Sequence, residues 1–533
     1  MNVEITIKNY RCFSDEQPAQ FTLRNGSIAF VGPNNAGKSS LLRFFYEFRR
    51  LFDHLTTANR GPIMNALKGK SDFERNVPDV SEMFCDSNYD DLSIEFRFTE
   101  TSIAPSGLEY PRLLVIKVDR DSTRWTAAIE LQNRYVNLAD TPIEFKGTVL
   151  WQGSPIADFA AIFELFGHLS NTFYIASFRN VLSLVPGEDY YDIKVGESFI
   201  QNWNLLKNGL IKKHSQVIES TTEAIREIFE FKKLEINASE DKKTLRVNVN
   251  SKPFKMNELG SGLAHFILTL GSVAMKEPRP SFLLIDEPEL SLHPSLQLTF
   301  LTNLATYSTK GVIFATHSLR LARSAADQIY TVRRANDHSE VMLYDATPRL
   351  PELLGELNFP GYRELGYKKI LLVEGRTEIK TVHQFLRLYH KDHEILVMPL
   401  NGDNLINDND DTQRQLEELK RISSDLFALI DSERSKKDEQ LPSKNRRKFV
   451  ELCQKLKIGC HVLDRRSIEN YFLDQHIKTV MGPNRGRSLL PFEDCKEFPG
   501  GWDKSQNWKI ARQMNRDDLE QTDLGNFIKT LCE

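Results

Sequence analysis

The sequence holds little of what would place it outside a reduced, aqueous compartment. Its six cysteines among 533 residues are Cys12, Cys85, Cys453, Cys460, Cys495 and Cys532. No two of them form a C-x-x-C pair, which excludes a zinc ribbon or finger and leaves no disulfide framework. They read as small apolar filler. No apolar stretch reaches the ~18 residues of a membrane span. The opening MNVEITIKNY alternates like a strand and carries an acid where a secretion signal would be basic, so the cytoplasm is the expected location. Neither sign of charge dominates: Lys+Arg 69 against Asp+Glu 73 leave a net charge of −4, so any nucleic-acid surface must be local. Sustained heptads are missing too, which argues against a long coiled-coil arm.

What is present is an ordinary globular composition, 40% hydrophobic and 27% charged, on a chain too long for one compact core. Two or three domains are expected. Residues 1–50 read as strand, turn, strand, loop and helix, the helix being SSLLRFFYEFRRLF. DLSIEFRF, RLLVIKV, WTAAIEL and PIEFKGTVLW, within 91–151, alternate as hairpins of an antiparallel sheet. Residues 157–232 change to a helical period, and TLRVNVN returns to a strand. The three prolines of 345–367 mark a boundary. Beyond it KKILLVEG, EIKTVHQFLRLY, EILVMPL, LFALIDSE, RRKFVELCQKL and CHVLD alternate strand and helix, which predicts a parallel α/β sheet.

GPNNAGKS, Gly32 to Ser39, matches G-x-x-x-x-G-K-[ST] between an apolar strand and a helix. Its backbone, with Asn35, Gly37 and Ser40, would wrap nucleotide phosphates; Lys38 would supply a point charge and the Ser39 hydroxyl would ligate Mg²⁺. SFLLIDEPELSLHP ends a buried strand on Asp286, placed to hold the Mg²⁺ shell, and Glu287 is placed to polarise the attacking water. FATHS ends another strand on His317, a γ-phosphate sensor by position. NELGSGLAHFILTL sets Ser261 and Gly262 at the head of an apolar helix.

A second constellation lies far downstream. KKILLVEGRTE ends a strand at Glu374 and puts Glu378 one helical turn later; LFALIDSE ends on Asp431 with Glu433 two residues on; LDRRSIENYF carries Glu469. Acids at successive strand ends of an open α/β sheet converge on its ligand crevice, and oxygen donors without His or Cys suit Mg²⁺ or Mn²⁺. The run SKKDEQLPSKNRRK, 435–448, reads most simply as a solvated loop, with tracking of a nucleic-acid backbone as the alternative. NGDNLINDNDD, 401–411, reads as a polar loop.

The first set of motifs resembles ABC-type ATPases of the SMC/RecF kind. That resemblance implies that Ser261 and Gly262 of one subunit close over the ATP held by another, although G-S-G departs from the usual L-S-G-G-Q. FYIASFRNV, with Arg179, also resembles a stretch common in that group. The second set resembles a TOPRIM domain, with Asp431-Ser432-Glu433 where the pattern has two aspartates. An ABC-type ATPase followed directly by TOPRIM resembles the OLD (overcoming lysogenization defect) family, which includes the Gabija nuclease and certain retron effectors.

The implied fold is an α/β chain: ATPase domain over 1–156 and 236–345, helical insert at 157–235 with a dimerisation role by position, linker at 346–366, and TOPRIM nuclease at 367–533. The implied chemistry is ATP-dependent, two-metal DNA cleavage. Glu374 and Asp431 would hold one ion, with Glu378, Glu433 and Glu469 as candidates for the other. A lysine would stand beside the phosphate, with Lys509 as the best match, Lys504 as its rival, and an ordinary surface lysine as the third reading. The implied partners are DNA, a second copy of the chain, and a helicase or a retron reverse transcriptase with its DNA, in antiphage defence. Two other readings stay open: a RecF/SMC-like DNA-repair tether with a non-catalytic TOPRIM scaffold, and a nuclease for RNA such as tRNA.

Overall fold

The computed structural model describes residues 2–57, 63–64, 68–70, 73, 77, 79–98, 108–132, 134–138, 143–144, 148–151, 154–177, 190–290, 292–335, 338–344, 368–400, 413, 416–417, 419–420, 425–437, 439–483, 486–498 and 500–533. The linker expected at 346–366, the polar loop 401–411 and Arg179 lie outside them.

Short apolar runs bounded by turns build a six-stranded sheet in the order Thr172–Ile175, Phe282–Asp286, Gly311–Thr316, Gly26–Val31, Gln328–Ala335, His338–Leu343. The first five run parallel and the last returns as an antiparallel hairpin. Both faces are covered, so the strands alternate between two cores. Ile28, Phe30, Leu284, Ile313 and Tyr330 face one core; Ala29, Val31, Ile285, Phe314 and Ile329 face the other. The first core is shared with a seven-stranded antiparallel sheet built from Asn2–Lys8, Ala19–Arg24, Leu92–Phe98, Leu113–Val118 and Arg124–Glu130, with Lys68–Lys70 and Tyr135–Asn137 both paired to Arg124–Glu130. Phe44, Phe48 and Phe52, spaced by four, lie in one file between the layers, with ring centroids 5.1 and 6.3 Å apart.

Two sequence readings change here. The helix SSLLRFFYEFRRLF is two helices, Lys38–Glu47 and Arg49–Thr57. The segment 157–235 is not wholly helical, because Thr172–Ile175 is a strand of the central sheet and Leu234–Ala238 pairs with Leu245–Val249. TFYI is buried on both faces, and such a strand reads as a continuous apolar run without alternation. Between these strands lie helices Gly196–Asn208 and Lys212–Ile228, and the first packs by Phe199 and Trp203 against Gly271 of the helix Ser261–Ala274. A Cβ on Gly271 would stand 2.9 Å from both rings.

The C-terminal part holds the expected parallel sheet, ordered Ile395–Pro399, Lys369–Val373, Leu426–Ile430, Gly459–Val462. Its faces divide residue by residue as well: Leu371, Val373 and Leu429 point to one core, Ile370, Leu372 and Ile430 to the other. Helix Arg376–Arg387 leaves strand Lys369–Val373 and packs against helix Asn507–Gln513. Among the described residues no helix is long and apolar enough to cross a membrane.

Candidate functional site

The loop after strand Gly26–Val31 folds into a phosphate cradle because its glycines stand where side chains cannot. A Cβ on Gly32 would lie 2.0 Å from the Val332 carbonyl oxygen. Gly37 has φ +98°, and a Cβ there would meet Cys12 Sγ at 2.6 Å; Asn35 is left-handed as well, at φ 59°. Helix Lys38–Glu47 starts directly from Gly37, so its free N–H groups face the loop. Asn35, Gly37, Lys38, Ser39, Ser40 and Glu287 line a cavity of about 860 Å³. Its far wall, which includes Arg11, Cys12, Glu82, Cys85 and Asp86, comes from the turn after strand Asn2–Lys8 and the segment that leads into strand Leu92–Phe98, and was not read from the sequence.

The polar groups around the cradle form a connected set. Lys38 Nζ donates to the Pro33 carbonyl at 2.8 Å. Burial lowers its affinity for the proton, against the pull of Asp286, Glu287 and Glu289. Asp286 ends its strand next to Ser39, which hydrogen-bonds to it; burial pushes its carboxyl up to about 6 in spite of that bond. Asp286 Oδ1 is buried and receives no hydrogen bond. A buried, unpartnered carboxylate oxygen beside a serine hydroxyl fits a hard divalent ion, and Ser39 and Asp286 would hold Mg²⁺ here. Glu287 follows with a left-handed backbone, φ 51°, and its Oε1 lies 2.9 Å from His317 Nε2. Glu289 buttresses this pair, accepting from Thr316 Oγ1 at 2.7 Å and the His317 N–H at 2.8 Å. It was missed in the sequence, three residues past Asp286. Ser261 is exposed at the head of its helix, and neither it nor Gly262 lines the cavity of its own chain.

The second set of acids does come together. Glu374 ends strand Lys369–Val373 and accepts the Asp431 N–H at 2.9 Å; Asp431 ends strand Leu426–Ile430 and accepts the Ile468 N–H at 3.2 Å. Glu378 turns back to accept the Gly375 N–H at 3.0 Å. Glu469 is buried and accepts from Asn507 Nδ2 at 2.8 Å. Asn507 in turn accepts from Trp502 Nε1 at 2.8 Å.

Burial, then the neighbouring Glu374, pushes the Glu378 carboxyl up to about 8. Burial and then Glu378, Glu374 and Glu469 push Asp431 well above the carboxylate range. Burial also raises Glu374, although Arg446 opposes it. Glu469 is held below its ordinary value because Lys504, Ser467 and Asn507 together outweigh its burial. Crowded buried carboxylates of this kind suit a hard cation chemically. Even so, among the described residues no three His, Cys, Asp or Glu side chains are arranged so as to hold a metal ion. The donor chemistry fits a divalent ion and the present arrangement does not close around one.

Two basic residues occupy the cluster. Lys504 Nζ lies 3.0 Å from Glu469 Oε1, and its ammonium is raised despite burial by Glu469 and Asp431. Lys509, the first choice from sequence, points elsewhere: its ammonium is lowered by burial and by Lys380, with Asp327 as its acid neighbour. The structure puts Lys504, and not Lys509, beside the acids. Arg446, read as one charge of a solvated run, is buried and forks onto Glu374, with Nη2 to Oε2 at 2.6 Å and Nε to Oε1 at 3.2 Å. Its Nη1 reaches Glu433 Oε2 at 2.7 Å. The sequence signal was helical phase: Arg446, Phe449 and Cys453 share the buried face of helix Lys444–Lys455.

Comparison with known proteins places the first half of this picture. Residues 1–133 match a family model described as "AAA ATPase domain", and residues 173–323 match one described as "AAA domain, putative AbiEii toxin, Type IV TA system". No curated protein matches the chain. Similar solved structures include an SMC head bound to the C-terminal winged-helix domain of ScpA, at 12% identity and TM-score 0.37, covering 64% of this chain and 97% of that one. The SMC head domain from Thermotoga maritima matches at 15% identity and TM-score 0.33, covering 65% of this chain and 100% of that one. An SMC head with an extended coiled coil, bound to a ScpA domain derived from Pyrococcus furiosus, matches at 11% identity and TM-score 0.33, covering 66% of this chain and 98% of that one. The overall likeness to these structures is slight. The two matched segments carry the P-loop at one end and Asp286, Glu287 and His317 at the other, and the chain carries an ATP-binding ATPase of the AAA class.

Proposed function

We propose that the chain is an ATPase joined to a metal-dependent DNA endonuclease of OLD type, its C-terminal domain being TOPRIM. The carrying observation is the acid cluster at the carboxyl ends of two adjacent parallel strands: Glu374, Asp431 and Glu469, all buried, with half-buried Glu378 beside them and Lys504 among them. A folding scaffold gains nothing from carboxyls crowded together out of solvent, since burial and mutual repulsion both disfavour their ionisation. Glu374 and Asp431 would hold one ion, with Glu378, Glu433 and Glu469 as the ligands available to a second. Ions bound there supply the positive charge that activates water and steadies the departing oxygen of a phosphodiester. The chain's own residues fix the frame. Trp502 orients Asn507, Asn507 orients Glu469, and Lys504 sets an ammonium where a phosphate oxygen would carry charge. At the nucleotide, Glu287 would take a proton from water while His317 holds its carboxylate in place.

In this reading two copies share nucleotides through Ser261 and Gly262, and a helicase or a retron reverse transcriptase with its DNA supplies the trigger in antiphage defence. The test is cleavage of plasmid DNA and of RNA with Mg²⁺ or Mn²⁺, run alongside phosphate release from ATP. Glu374→Ala should lose cleavage and keep ATP hydrolysis, because no residue of the first site is touched. Cleavage by Glu374→Ala at the wild-type rate would remove the nuclease from this site.

A further inference from the structure

The acid cluster carries an internal counter-ion that competes with its metal. Five carboxylates meet there, Glu374, Glu378, Asp431, Glu433 and Glu469, and two basic side chains are threaded among them. Lys504 serves Glu469. Arg446 serves the other side: its fork takes both oxygens of Glu374, its Nη1 takes Glu433, and its Nε also reaches the Asp431 carbonyl at 3.1 Å. Glu374 Oε1 additionally accepts the Asp431 N–H, so that carboxylate is turned toward the guanidinium and the strand end together. Glu378 and Asp431 each accept a backbone N–H and have no such fork. Two of the five acids, Glu374 and Glu433, therefore face an arginine, and among the described residues no three acids are arranged to hold a metal ion.

We propose that Arg446 is a tethered cation holding the acid site closed, and that a divalent ion enters only as Arg446 leaves Glu374 and Glu433. This inference rests on the acid-site reading above. A guanidinium and a divalent ion cannot share Glu374 cheaply, since both are cations and its oxygens are already engaged. Arg446 is well placed to leave. It sits in the first turn of helix Lys444–Lys455, which is anchored further along by Phe449 and Cys453 in the core. The turn begins at the surface, where Lys444 and Arg447 are exposed on the same basic run as Lys436 and Lys437. A polyanion lying on that run offers Arg446 phosphate oxygens that match its fork as well as a carboxylate does. Arg446 is a positioning residue: it sets which carboxylates are free.

The test is Mn²⁺ binding by the full-length, nucleotide-free protein, read from the loss of the free-ion electron paramagnetic resonance signal. Arg446→Gln should bind the ion at least about tenfold more tightly than wild type, and Glu374→Ala added to it should remove the gain. Arg446→Lys keeps a cation without the fork and should stay within about threefold of wild type; thermal melts of each variant establish that it is folded. Equal or weaker binding by a folded Arg446→Gln, with Glu374→Ala still weakening the wild type, overturns the closure. Binding as tight in Arg446→Lys as in Arg446→Gln overturns it as well, because the charge would then not be what excludes the ion. If Glu374→Ala changes nothing in either background, the acid-site reading itself falls and takes this inference with it.

Discussion

Lys380 Nζ lies 2.8 Å from Asp327 Oδ1, an ion pair with its lysine almost fully enclosed. Asp327 belongs to the ATPase sheet: its other oxygen accepts the Ser27 N–H at 2.7 Å, at the foot of the strand that leads into the P-loop. Lys380 belongs to helix Arg376–Arg387, which leaves Glu374 and carries Glu378. The seam continues in polar contacts. Thr299 Oγ1 donates to Asp392 at 3.0 Å and Arg512 Nη2 donates to Asn303 at 2.7 Å, both from helix Pro294–Ala305, which follows the Asp286 strand. The elements next to each site are thus the elements that touch.

Removing one partner of a buried pair leaves the other charged without compensation, at a cost of about 3–5 kcal/mol. Asp327→Ala should therefore loosen the seam more than Lys380→Met, which leaves Asp327 with its backbone donor from Ser27. Hydrogen exchange followed by mass spectrometry should show faster exchange over 294–305 and 376–387 in Asp327→Ala. Unchanged exchange in those helices would mean that the pair does not hold the two parts together.

Lys504 and Lys509 offer a direct contrast five residues apart. Lys504→Ala removes the cation beside Glu469 and should lower cleavage by about 10²-fold or more, the scale for one electrostatic contact at a reacting phosphate. Lys509→Ala removes a cation beside Lys380 and Asp327 at the seam and should leave cleavage within about threefold of wild type. The reverse ranking would restore Lys509 as the reacting lysine.

What the sequence disclosed and what it hid divide along a physical line. FLLIDE and LLVEG were legible because a buried parallel strand is a short apolar run and its last residue is fixed at the sheet end. Acids at such ends could be paired in advance without knowing any distance. TFYI carries the same kind of run, but it lay within a helical period and was absorbed into it. Lys509 was set beside the phosphate by its motif and Arg446 in solvent by its charged run, because a basic side chain cannot be assigned until its partner is known. Their partners, Asp327 and Glu374, lie far upstream in the chain. Only tertiary closure brings them together.

Asp286 ties stability to pH. Its carboxyl rises from the ordinary 3.8 to about 6 on folding, chiefly through burial, so the folded chain holds the proton more tightly than the unfolded one. The group's contribution is then most favourable below about 4 and is lost as pH rises through about 6, on the order of 1–3 kcal/mol in all. Asp286→Asn keeps the shape without the charge. Without nucleotide it should melt a few degrees higher than wild type at pH 7.5, and the gap should close as pH falls to about 4. Adding Mg²⁺ and ATP should raise the melting temperature of wild type and not of the variant. Parallel pH profiles for the two proteins would mean that Asp286 is not the strained group.

The sharing of nucleotides between two copies can be tested because the two halves of the proposed site lie apart within one chain. Ser261 is exposed at the start of its helix and does not line the cavity that contains Lys38. A bulky cation at 261 should therefore leave nucleotide binding by the same chain untouched and obstruct only a partner docked over it. Ser261→Arg alone should bind ATP with wild-type affinity and hydrolyse it poorly. Lys38→Ala alone should fail earlier, at binding, because the charge beside the phosphates is gone. In a heterodimer of the two, one site combines an intact Lys38 with an intact Ser261, and the other combines both lesions. Mixing the inactive variants should thus restore hydrolysis at about one site in each heterodimer, with the rate rising and falling as the mixing ratio passes through equality. A trans arrangement has no other way to produce activity from two dead parents. If tagged heterodimers are recovered and still hydrolyse no ATP, each chain works alone, and Ser261 belongs to the packing of its own helix.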